Sequence, residues 1–128
     1  MKLLDTTFLI DLMKGKDECK KIVLNNQRCL STCINMYELL IGVYYKNKKP
    51  NNHLEILELF ENIHMLPLEI SGIMNSAKIS AELLKSGNQV SHTDCLIAGI
   101  ALSHSINTIV TRNVKHFNRI PGIKVETY

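Results

Sequence analysis

The stretch HTDCLIAGIALSHSINTIVTRN, residues 92–113, decides the fold. From Thr93 to His104 the apolar positions Leu96, Ile97, Ile100 and Ala101 recur at helical spacing, giving a helix that opens on Asp94. Thr108–Thr111 then reads as a short, buried strand, left through the polar pair Arg112-Asn113. A helix running straight into a short apolar strand is half of a βαβ unit, the element from which parallel sheets are built.

The same alternation extends in both directions. Ile123–Glu126 reads as one more strand. Upstream lie a helix over Ile70–Lys85 ended by Gly87, a strand over His64–Leu68 and a helix around Leu54–Ile63. The polar loop KNKKPNNH, 46–53, precedes that helix, with Pro50 marking a helix start. Before it come a helix over Cys33–Tyr45 and a strand over Arg28–Thr32. A short helix over Asp17–Asn25 and one from Thr6 to Gly15 follow the opening strand, Lys2–Asp5. Five short strands separated by helices predict an α/β fold, one domain over 1–128, with a mainly parallel sheet covered on both faces.

Composition narrows the class. At 128 residues and 45% hydrophobic the chain fits one ordinary core and excludes a disordered or fibrous protein. Its longest apolar runs, Leu39–Tyr45 and Leu96–Leu102, fall far short of a bilayer span, and Asp5 and Asp11 interrupt any signal-peptide core. A soluble, cytoplasmic protein is expected. Cys19, Cys29, Cys33 and Cys95 form no C-x-x-C pair, so reduced thiols are expected rather than disulfides or zinc. A net charge of +3 permits a polyanionic partner without requiring one.

In such a sheet, ligands bind beyond the carboxyl ends of the strands, where strand order reverses. Asp5 closes the first strand, Glu38 lies in the helix after the second, Asp94 opens the helix before the fourth, and Asn113 follows the fourth. Each acid alone has a local use: Asp5 or Thr6 as a helix cap, Asp94 at a helix N-terminus, Glu38 as a half-exposed helix residue. Together they converge on one edge. Clustered carboxylates repel, and a hard divalent cation such as Mg²⁺ or Mn²⁺ is the usual remedy. Asp11, six residues past Asp5, is expected to face elsewhere and to be solvated, and Thr6 and Thr7 to cap. Ser31 and Thr111 are candidate second-layer or phosphate donors, and Arg112, with Lys115 and Arg119, a candidate basic rim. The rival reading as a phosphoacceptor receiver needs an aspartate ending the third strand, and HMLPL, 64–68, has none.

The segments LLDTTFLIDLM (3–13), LSTCINMYELLIGV (30–43) and HTDCLIAGIALSHSINTIVTRNVKHFNRIPGIKV (92–125) resemble, in order, the motifs of PIN-domain proteins. They are most similar to the single-domain VapC-type toxins of toxin–antitoxin pairs. The resemblance implies a three-layer α/β/α sandwich and a Mg²⁺- or Mn²⁺-dependent endoribonuclease held inactive by a cognate antitoxin. It places Asp5, Glu38 and Asp94 on the metal and Asn113 where many members carry a fourth aspartate. The apolar helices over 33–45 and 54–63, with Tyr44, Tyr45 and Phe60, suggest a hidden surface; the resemblance suggests a homodimer and the antitoxin. Asn113 motivates the alternative of a catalytically silent PIN-like module that binds RNA or protein.

Overall fold

The computed structural model describes residues 1–25, 28–46 and 52–128. Five strands, β1 (Lys2–Leu4), β2 (Cys29–Thr32), β3 (His64–Leu66), β4 (Thr108–Val110) and β5 (Lys124–Glu126), form one sheet in the order β3-β2-β1-β4-β5. Every pairing is parallel. Among the described residues seven helices cover it: α1 (Thr6–Met13), α2 (Asp17–Asn25), α3 (Cys33–Tyr45), α4 (Asn52–Asn62), α5 (Ile70–Ser86), α6 (His92–Ser103) and α7 (Val114–Phe117). The α/β/α sandwich expected from the sequence is therefore present. The single turn α7 has no signal in the sequence, since four residues carry no periodicity. Lys48, Lys49 and Pro50 lie outside the described residues.

Strand pleat divides the core. Leu3, Leu30, Leu66 and Ile109 point to one face and pack with Ile79, Leu83, Ile97 and Ile100 of α5 and α6. Leu4 and Val110 point to the other, against Phe8 and Leu9 of α1, Leu39 of α3 and Ile56 of α4. The chain runs β1-β2-β3 outward on one side, then returns to lay β4 and β5 on the other. Strand order thus reverses between β1 and β4, and the Asp5 N–H, 3.1 Å from the Val110 carbonyl, carries their pairing up to that edge.

Helices α5 and α6 pack so closely that Gly99 faces the Ser76 backbone directly. A Cβ on Gly99 would stand 2.6 Å from the Ser76 nitrogen and 2.8 Å from its Cα. The Ser76 hydroxyl meanwhile donates to the Gly72 carbonyl at 2.7 Å. Backbone cannot turn aside as a side chain can, so Gly99→Ala must separate the helices. A loss of about 2–3 kcal/mol in unfolding free energy is expected, read from the urea midpoint. A midpoint unchanged from wild type would show that the two helices have room the geometry denies.

Candidate active site at the β1–β4 edge

Asp5 is buried, 2% exposed, at the point where β1 becomes α1. Its Oδ2 accepts from the Thr111 hydroxyl at 2.7 Å and its Oδ1 from Asn35 Nδ2 at 3.2 Å. Burial pushes its carboxyl above the usual range. The Thr111 hydroxyl and the Thr6 N–H pull the other way, and the neighbouring Asp94 adds to the rise. Glu38, in the second turn of α3, accepts from the Thr6 hydroxyl at 2.7 Å. It too is raised, first by burial, with Thr6 opposing and both Asp5 and Asp94 repelling its charge. Three acids from three elements therefore share one electrostatic environment.

Asp94 enters from the first turn of α6, where the Ser91 hydroxyl caps its backbone N–H at 3.2 Å. Its Oδ2 lies 3.2 Å from Nδ1 of His116. The neighbouring Phe117 is buried in the core. Asn113 is exposed beside the edge; its backbone N–H donates to the Thr111 hydroxyl at 2.9 Å.

Beneath the acids lies a layer of small polar groups. Asn35 is fully buried and joins Thr32 in a capping box at the start of α3, while its Nδ2 reaches Asp5 and, at 3.0 Å, the Thr6 hydroxyl. Thr111 gives its only hydroxyl proton to Asp5, so in its 3.2 Å contact with Thr7 the proton belongs to Thr7. Thr6 and Thr7 were expected to cap, and the structure corrects this: α1 has no side-chain cap bond. They orient the acids. Ser31 is fully buried and donates to the Leu4 carbonyl at 2.8 Å, which closes the phosphate-contacting role and leaves it bracing β1 behind Asp5.

Asp11 overturns its expectation. It is fully buried rather than solvated, with Lys16 Nζ 3.1 Å from Oδ1, Arg112 Nε 3.1 Å from Oδ2, and the Tyr128 hydroxyl donating to Oδ2 at 2.6 Å. Tyr128, followed by Lys16 and Arg112, holds its carboxyl below the usual range despite burial. Arg112 therefore pairs its Nε with Asp11 and with none of Asp5, Glu38 or Asp94.

The contrast between the two buried aspartates defines the site. Asp11 has its cations. Among the described residues, no Lys, Arg or His pairs with Asp5 or Glu38. Among them, too, no three His, Cys, Asp or Glu side chains are gathered as a closed ligand group; Thr6 bonds Glu38 and His116 pairs with Asp94. The donors are hard oxygens, two of them on Asp5 and Glu38 with no cation partner among the described residues, and that set fits Mg²⁺ or Mn²⁺.

This is an α/β domain with an oxygen-rich acidic site at its strand-order reversal. The family model for the PIN domain matches residues 2–123, and the chain belongs to that family. It is 33% identical to the tRNA(fMet)-specific endonuclease VapC of Salmonella typhimurium, covering 98% of this chain and 96% of that one. It is also 33% identical to ribonuclease VapC1 of Rickettsia felis, over 98% and 94%. The structure of VapBC-1 from nontypeable Haemophilus influenzae superposes with a TM-score of 0.86 at 26% identity, covering 98% of this chain and 96% of that one.

Proposed function

We propose that this protein is the toxin of a toxin–antitoxin pair, a Mg²⁺- or Mn²⁺-dependent endoribonuclease working through Asp5, Glu38 and Asp94. The observation that carries it is the buried Asp5 carboxylate, without a protein cation, beside two further acids. Relatives of 33% identity named as VapC ribonucleases support the reaction class.

Asp5, Glu38 and Asp94 would hold the metal, which when bound polarises a phosphoryl oxygen and lowers the pKa of a water. The chain's own part is to present the acids ionised and aimed. Thr111, Asn35 and the Thr6 N–H each donate to Asp5, which fixes the plane of its carboxylate. Thr6 does the same for one oxygen of Glu38. Asn113 supplies a carbonyl oxygen without charge at the rim, suited to accept from a bound water.

The partners follow from the surface. Tyr37, Ile41, Tyr44 and Tyr45 leave an exposed apolar stripe on α3, supporting a homodimer. A groove of about 300 Å³ between α1, α3 and α4, lined by Ile10, Met13, Val43 and Ile56, runs up to Glu38 and would seat an antitoxin segment. No helix of the described residues is long and apolar enough to cross a membrane.

The test is cleavage of a single-stranded RNA with Mn²⁺ or Mg²⁺ against EDTA. Asn113→Ala should weaken cleavage less than Asp94→Ala, which removes a charged ligand. An inert wild type made active by Asn113→Asp would instead establish the silent binding module.

A further inference from the structure

We propose that Asp11 is a positioning residue for RNA: it holds Arg112 by Nε so that the free end of the guanidinium meets a backbone phosphate beside the acidic edge. This rests on the nuclease reading above. A buried ion cluster is weak evidence for stability, since apolar side chains of equal volume pack as well. What a buried carboxylate adds is direction. The guanidinium is a rigid planar fork, so fixing its Nε edge fixes where the two terminal nitrogens point.

The geometry ties Arg112 at both ends. Its backbone N–H donates to the Thr7 hydroxyl at 3.0 Å, Thr7 donates to Thr111, and Thr111 to Asp5. Its side chain is held 3.1 Å from Asp11, and Tyr128 and Lys16 keep that carboxylate ionised and in place. Among the described residues the guanidinium has no other hydrogen bond or ion pair, and the side chain is 49% exposed. An open groove of about 460 Å³, lined by Lys16, Glu18, Arg112 and Tyr128, gives a strand room to pass. Three acids repel a polyanion, so a fixed cation one residue from Thr111 is the group placed to bring a phosphate in.

The experiment measures binding of a labelled single-stranded oligoribonucleotide by anisotropy against salt, in a common Asp94→Asn background so that no arm consumes the probe. Removing an anion from a protein that binds RNA should tighten binding by long-range electrostatics. A positioning role predicts the reverse: Asp11→Asn should weaken binding about fivefold and lower the salt slope by about 0.7, as loss of one phosphate contact does. Arg112→Lys keeps a cation beside Asp11, which protects folding, but its compact ammonium lacks the planar fork whose far edge reaches a phosphate while Nε holds the carboxylate. It should weaken binding as much. Tyr128→Phe keeps the Asp11–Arg112 pair but removes one of the bonds that hold Asp11, so it should lower the melting temperature and weaken binding by less than either of those two substitutions. Binding by Asp11→Asn or Arg112→Lys equal to or tighter than the parent's overturns the inference, as does a Tyr128→Phe loss matching theirs. A parent chain that fails to bind even at low salt overturns the nuclease reading, and this inference with it.

Discussion

Replacing Asp5 with asparagine is expected to lower RNA cleavage by roughly a thousandfold, the equivalent of ~4 kcal/mol of transition-state stabilisation. The side chain keeps its shape and the Asn35 contact but loses the charge that would hold a divalent ion. The same substitution has a second, independent readout. The Asp5 carboxyl is raised in the folded protein, so between its ordinary value of 3.8 and its folded value the native state binds more protons than the unfolded. Stability in wild type therefore falls as pH rises through that window. Asparagine mimics the neutral acid at every pH and removes the fall. Urea unfolding of both proteins across that range should show their difference shifting in favour of Asp5→Asn as pH rises, then levelling. Asp11 titrates with the opposite sign and contributes equally to both proteins, so it cancels. A difference independent of pH would show that Asp5 is not held in the strained, uncompensated state on which the site reading depends.

Much of this was legible in sequence because the signals are local. The period change between Lys2–Asp5 and the helix after it, and again between residues 93–104 and 108–111, comes from pleat and helical turn, which act over a few residues. The strand ends then placed Asp5 and Thr111 at one edge. The two aspartates of LLDTTFLIDLM could not be told apart by the same means. Asp11 is buried by Tyr128, 117 positions away, and by Arg112, on the far strand's exit. Nothing near Asp11 announces a buried ion cluster. The second polar layer was hidden for a related reason. Asn35, Thr6 and Thr7 are ordinary helix-start residues by position, and only the meeting of α1, α3 and β4 turns them toward carboxylates. His116 is likewise 22 residues from Asp94, with no spacing that pairs them.

Divalent metal should stabilise the folded chain, because the unfolded chain cannot assemble Asp5, Glu38 and Asp94. At a hundredfold excess over its Kd, Mn²⁺ or Mg²⁺ adds about 2.7 kcal/mol by mass action. For a domain of this length that is a rise of roughly 10 °C in melting temperature. EDTA should reverse it. The gain has two physical sources: a counter-ion for carboxylates that burial raises, Asp5 being 2% exposed, and relief of the smaller repulsion among the three acids. It is offset by the His116 ring that the ion would displace from Asp94. His116→Ala frees Asp94 at no cost in charge, so it should keep or enlarge the shift. Asp5→Asn should abolish it, since the deepest carboxylate is gone. Asn113→Asp adds a fourth charge at the rim and should lower the metal concentration at which the shift is half complete, most visibly for a second ion. RNA cleavage that needs metal in a wild type whose melting temperature ignores it would mean that the ion arrives on the substrate's phosphates, and that the three carboxylates do not bind it alone.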